Sequence, residues 1–268
     1  MLTFDDKYTP EDFGLIALLD HEHPMTPEFE RKTMHVPVRS GQWDFGSEIK
    51  AKTFNLPLGL KDIDRIRLQQ KLNSFVAFLH DEFGQQREIK MTFDYEPDKF
   101  YMVKLASAIT PERLINFSRF ILPFVADDGY KFATANQYDP ELAIYYGQVE
   151  PGDYYDNPQS FKWQYERHYS GINNYSSLNA DFAIEIVGTV TNPSVTNLNT
   201  NQTLTLPSIN NGKIVIDGKR FVVIKDGQDI LEGSNYNFFH IQPGEVGFLF
   251  EGENPSAIVN YRWLHKFM

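Results

Sequence analysis

His21-Glu22-His23 sets two imidazoles at alternate positions, the spacing that would put both on one face of a strand as a two-histidine metal pair. A stable site needs further ligands, and no third donor follows nearby. Pro24 comes next, so a solvated acidic loop is the plainer reading, and no metal ligand is expected. Asp98 and Lys104 supply the carboxylate and amine of a nuclease-like site. Pro97, however, explains Glu96-Pro97-Asp98-Lys99 as a tight turn. Glu245 and Glu251 are the carboxyl pair that glycoside hydrolysis would use. Six positions apart, near the two ends of one strand, they make a poor pair. There is no Gly-x-Ser-x-Gly, phosphate-loop or dinucleotide fingerprint. The expectation is a chain without catalytic residues, cofactor or metal, hence not an enzyme.

Aromatic rings are the other chemistry on offer. The chain holds 22 Phe and 14 Tyr, enough to fill cores and still leave rings for a protein interface. Trp43 and Phe45 lie in the segment HVPVRSGQWDFG. Residues 135–178 hold eight tyrosines, Tyr154 and Tyr155 among them, together with Trp163. Trp43, Phe45, Tyr154, Tyr155 and Trp163 are the candidates for self-assembly or protein contact. The Tyr-rich rings could also stack on a sugar face or simply pack, and core burial is the simpler reading of Trp43 and Phe45.

The elements that would position these rings are legible in part. Leu68, Leu72, Phe75, Val76, Leu79 and Phe83 form one apolar stripe at helical spacing, which predicts a helix over about 62–83. Asp62 or Asp64 can cap its start and Gly84 its end. The period then becomes two: Ile89, Met91, Phe93 and Tyr95 alternate with polar residues, a half-buried strand. A second strand follows over Phe100 to Leu105 and a third over Leu114 to Phe124. Ser40-Gly41 marks a hairpin whose arms carry Trp43 and Phe45. The first half, 1–134, thus reads as α+β, an antiparallel sheet under one helix. Residues 135–178 read as a Tyr-rich connector or hairpin. In 179–268 the strand candidates are 182–187, 202–206, 213–217, 220–224, 236–241, 246–250 and 257–264, with Asp217-Gly218 the strongest hairpin mark. Short strands with no helix between them predict a β-sandwich or jelly roll. The fold class is mainly β with minor α.

The totals narrow the field. A net charge of −11, with both halves acidic, disfavours nucleic-acid binding through the general surface. There is no cysteine, which fits folding in a reducing cytoplasm. The start MLTFDDKYTPED has neither the basic head nor the apolar run of a signal peptide, and no stretch reaches the ~18–20 apolar residues of a membrane span.

The order of several weak motifs resembles the distal tail (Dit) proteins of long-tailed siphophages. Phe4 and Asp12-Phe13 precede an extended segment. VPVRSGQWDFG is similar to the family's Val-Pro-Gly-Arg-x-Gly segment, with Val38 in place of Gly. A helix follows, then EPDKFY. IEIVGTVTNPSVTN, KIVIDG, IQPGEVGFLF and AIVNYRWLHKFM succeed one another in the second half. The resemblance covers all but 135–178. It implies a structural virion protein of the tail tip or baseplate, made in the host cytoplasm. It also implies a hexameric ring hub formed by the N-terminal domain and a galectin-like C-terminal sandwich used in host adsorption. The implied partners are other copies of the chain, the tail tube protein, the tail-associated spike protein and receptor-binding or baseplate proteins. The alternative is receptor recognition by the sandwich itself, with a host cell-wall saccharide as ligand.

Overall fold

The computed structural model describes residues 2–18, 21–38, 40–113, 117–134 and 160–268. The chain divides into two compact units, 1–132 with Met268 and 133–267. Among the described residues strands dominate and one α-helix is present, so the mainly β, minor α expectation is borne out. In the first unit β1 is Leu2–Phe4, β2 Leu15–Ala17, β3 Phe29–His35, β4 Gln42–Ile49, β5 Lys52–Lys61, α1 Arg65–Phe78, β6 Ile89–Phe93, β7 Glu96–Leu105, β8 Glu112–Arg113, β9 Phe117–Ala126 and β10 Lys131–Thr134. β5 and β9 pair along their full lengths, Lys52 opposite Ala126 and Lys61 opposite Phe117. β2 extends the sheet beyond β5, and β7, β6 and β1 extend it beyond β9.

β5 shows the period-two rule directly: Lys52, Phe54, Leu56, Leu58 and Leu60 all face the core. Four of these are apolar and one is a lysine. Against this face pack Leu68, Leu72, Phe75 and Leu79 of the helical segment, with Phe13 edge-on to Phe75 at 5.3 Å.

The helix is shorter than its apolar stripe. It opens at Asp64, whose Oδ1 accepts from the Ile66 N–H at 2.8 Å. It ends at Phe78, and Val76 and Phe83 are exposed. The Asp81 carboxylate accepts from the N–H groups of Phe83 and Gln85, so a side chain captures the backbone that would have continued the helix. Gly84, with φ +74°, belongs to that turn rather than to a helix cap. The expected turn at Glu96–Lys99 is also corrected. Phe93 stands opposite Glu96, so Asp94-Tyr95 make the turn and Pro97 lies inside β7. Lys131 at 2.6 Å and Lys99 at 3.1 Å hold Glu96 in that position.

In the second unit β11 is Ser160–Trp163, β12 Arg167–Asn174, β13 Phe182–Asn197, β14 Gln202–Thr205, β15 Ile209–Asp217, β16 Val222–Lys225, β17 Gln228–Asp229 and β18 Gly244–Phe267. Residues 160–163 and 167–174, expected as part of a connector or hairpin, pair with β18. Two long strands build both layers. The first part of β13 pairs with β15 and with the last part of β18, which also carries β11. The last part of β13 pairs with β14 and with the first part of β18, which carries β12. Both strands therefore bend from one sheet into the other around a shared core that includes Ile184, Val195, Phe248, Phe250 and Val259. That is why 246–250 and 257–264, expected as two strands, are one.

The bend has a steric requirement. Gly188 has φ +143°, and a Cβ there would stand 2.3 Å from the Ser256 carbonyl oxygen. A Cβ on Gly252 would stand 2.5 Å from Val190. The strand expected at 236–241 is absent, apart from one bridge between Ile241 and Ala180. Asn235 and Asn237 instead donate their side-chain amides to Thr203 O, doing by side chain what a ladder would do by backbone. The Gly188→Ala variant is expected to lose roughly 1–3 kcal/mol of stability, read as a lowered unfolding midpoint.

Candidate functional site

β3 and β4 pair only with each other among the described residues, and every residue of both strands is exposed. The chain turns between His35 and Gln42, which contain the expected Ser40-Gly41. Met34 stands opposite Trp43, and Phe45 follows two residues on from Trp43, where the register shifts between Thr33 and Arg31. These three side chains are 51%, 48% and 63% exposed. Trp43 and Phe45 are thus surface residues, not the core residues of the simpler reading. Isolated exposed apolar residues are ordinary, but these three stand close together along one ribbon as an exposed apolar patch. The rest of the ribbon is charged. Arg31 pairs with Asp44 at 2.9 Å, Lys32 with Glu48 and Lys50 with Glu30. Exposed pairs of this kind add little stability, yet they keep the two strands in register. Among the described residues, neither outer edge has a neighbouring strand, and such edges are a template for pairing with another chain.

A ribbon without a core must be held from its root, and here the root is polar. Lys52, the first residue after the ribbon returns, is 2% exposed. Its Nζ donates to Tyr101 Oη at 3.1 Å and to Met25 O at 3.5 Å. Tyr101 Oη lies 3.0 Å from His23 Nε2, His23 Nδ1 lies 2.6 Å from Tyr95 Oη, and Tyr95 Oη lies 3.3 Å from His21 Nε2. The His23 ring stacks on Phe93 at 4.4 Å. The row therefore ties the segment entering β3 to the residue leaving β4. Burial, then the Lys52 charge, pull His23 down to about 4. Burial, then Lys131, pull Lys52 down to about 8, so it is still an ammonium at neutral pH. Burial pushes Tyr95 up to about 12 and raises Tyr101 as well. Burial also works against the Glu96 carboxylate, but hydrogen bonds from Lys131 and Lys99 outweigh it and hold that group below its usual range.

The other residues singled out by sequence fall elsewhere. His21 and His23 do share a site, with tyrosine hydroxyls on their ring nitrogens. Lys104 pairs with Glu88 and Asp127, whereas Asp98 pairs with Lys99. Glu251 pairs with Arg167 at 3.1 Å. Trp163 is fully buried; it packs edge-on to Phe250 at 5.3 Å and donates its indole N–H to Tyr165 O at 2.8 Å. Tyr154 and Tyr155 lie outside the described residues. Lys52 and Tyr101 escape a motif search, although the alternation of KTFNLPLGLK already sets Lys52 in phase with the core residues.

Comparison with known proteins adds three findings. Residues 9–126 match the profile of the phage tail protein RIFT-related domain. The fold is similar to that of the SPP1 Dit protein, described as a paradigm of the hub adsorption apparatus in phages infecting Gram-positive hosts. That likeness has a TM-score of 0.70 at 14% identity and covers 100% of this chain and 98% of that one. A chain of the phage P2 baseplate, in its activated conformation with Ca, aligns at TM-score 0.42 and 11% identity over 97% of this chain and 90% of that one, too low to carry weight. No curated protein matches the sequence. The resemblance to siphophage Dit proteins is thus borne out, by the domain in the first half and by the fold along the chain.

Tyr101→Phe removes the hydroxyl that joins Lys52 to His23 and is expected to cost about 1–3 kcal/mol. Trp43→Ser is expected to stay within about 0.5 kcal/mol of the parent. Denaturant titrations of both variants check the contrast.

Proposed function

We propose, from the match of residues 9–126 to the phage tail protein RIFT-related domain, that this chain is a structural hub at the distal end of a siphophage tail. The first unit closes into a ring, expected to be hexameric, and joins the tail tube to the tail-tip or baseplate apparatus that adsorbs to the host. The observation that carries this reading is the β3–β4 ribbon, which exposes Met34, Trp43 and Phe45 and whose outer edges pair with no other strand among the described residues. A patch on one copy that meets a different surface on the next makes a head-to-tail contact, and such contacts close into rings when the rotation allows. The second unit, a galectin-like β-sandwich, serves as the adaptor for receptor-binding or baseplate proteins. The tail-associated spike protein docks on the ring. No bond-making chemistry takes part, since the acidic and basic groups of interest are spent on structural pairs.

A second reading has its own support. Tyr165 and Tyr169 are exposed around the β11–β12 turn, with His168 stacked beside Tyr165 at 6.0 Å. Such rings suit a cell-wall saccharide, and a glycan array on the full chain tests it.

Native mass spectrometry of the purified chain tests the main reading. A six-fold species is expected, and Trp43→Asp combined with Phe45→Asp is expected to lower its abundance at least tenfold with no change in unfolding midpoint. A parent that stays monomeric at every concentration, or a double variant that assembles undiminished, contradicts it.

A further inference from the structure

The row at the ribbon root has only one consistent direction. A lysine ammonium donates and never accepts, so Tyr101 Oη accepts from Lys52 and must give its own proton onward. His23 Nε2 is the atom that receives it, at 3.0 Å. His23 is then protonated on Nδ1 alone, donates to Tyr95 Oη at 2.6 Å, and Tyr95 donates in turn to His21 at 3.3 Å. Each hydroxyl gives one proton and takes one. A second proton on His23 breaks this arithmetic. Nε2 becomes a donor aimed at an oxygen that already accepts from Lys52, and the Tyr101 hydroxyl proton loses its acceptor.

The surroundings do not favour that second charge. Lys52 faces His23 from β5 and Lys131 from β10. His21 lies on its own segment. Glu96 on β7 is the carboxylate whose charge acts on His23 among the described residues, and it is already engaged by Lys131 and Lys99, while the neighbouring Glu22 is exposed. Phe93 and Phe54 cover the ring. The location gives the row its consequence. His23 and Met25 lead into β3 and Lys52 follows β4, so both strands of the ribbon leave the body of the unit at this point. Backbone ties there include the Lys50 N–H to Glu28 O bond at 2.8 Å, a bridge between Glu22 and Asn55, and, on the returning side, the pairing of Lys52 with Ala126 of β9.

We propose that His23 is a proton-operated latch: neutral, it completes the row that fixes the root of the β3–β4 ribbon; doubly protonated, it opens that row and frees the ribbon. The latch itself needs only the first unit. Its effect on assembly rests on the reading of the ribbon as the contact between copies. The sign follows from linkage. An opened root titrates near the ordinary histidine value of 6.5, whereas the closed root resists protonation down to about 4. Closure is therefore complete above pH 6.5, and the opening equilibrium rises by up to about tenfold per pH unit between the two values.

The test is hydrogen exchange by mass spectrometry on the full chain, at pH steps from 7.5 to 4, corrected for intrinsic rates, with native mass spectra of the same samples. Peptides covering 21–28 and 50–55 are expected to lose protection across pH 6.5 to 4, while peptides of β5–β9 beyond the root hold theirs. His23→Gln keeps one donor and one acceptor but does not titrate, and its root peptides are expected to stay flat over the same range. Parent peptides that stay flat, or a His23→Gln profile that follows the parent, overturn the latch. If the root opens as expected in a chain that is monomeric throughout, the latch stands and the assembly reading fails. If six-fold species persist undiminished while the root opens, the proposed control of assembly is overturned.

Discussion

A lysine on the core face of a strand sets the terms for the first unit. The ammonium of Lys52 is almost fully removed from water, and an unpartnered charge there would cost several kcal/mol or drive off its proton. Tyr101 and Met25 O supply acceptors, and the rings of Tyr101 and Phe54 lie 4.9 and 5.8 Å from Nζ. Once Tyr101 accepts from Lys52, His23 is needed to take the tyrosine proton, and Tyr95 and His21 complete the sequence. A polar row thus does at the ribbon root what an apolar core does elsewhere. It also fixes direction, which apolar packing cannot do. The ribbon beyond it is left free of core duties, so Met34, Trp43 and Phe45 can be presented to a partner.

The second unit follows a different rule. Its two layers share their longest strands, so the connection between sheets is made by bending β13 and β18 rather than by loops. Gly188 and Gly252 permit the approach, and Asn192 and Asn254, at φ +50° and +48°, take up the turn of the backbone. Ser176 and Asn174 then tie the end of β18, through His265 at 3.2 Å and the Lys266 N–H at 2.7 Å. A scaffold built from continuous strands ties its two layers together through the backbone itself.

Much of this was readable in the sequence, and the failures share a cause. The period-two run located β6, the aromatic run ending at Phe124 located β9, short runs between turn residues located most strands of the second unit, and Asp217-Gly218 located the β15–β16 hairpin, though its loop extends to Phe221. Ser40-Gly41 found the ribbon. Its exposure was hidden, because alternation predicts that one face is buried without saying whether anything covers it. The helix ran short because Asp81 competes for backbone, and 236–241 failed because Asn235 and Asn237 compete in the same way. Pro97 misled because a proline at the start of a strand looks like a proline in a turn. The site's central residues carried the faintest mark: Lys52 was visible only as a charge in phase with Phe54, Leu56, Leu58 and Leu60.

The central claim is that the ribbon face is covered by another protein when the chain is at work. Hydroxyl-radical footprinting of Met34, Trp43 and Phe45, in dilute monomer and in assembled material, measures that coverage most directly. Labelling of all three should fall several-fold on assembly while the exposed Ile63 and Phe83 change little. Equal labelling in the two states would contradict the account.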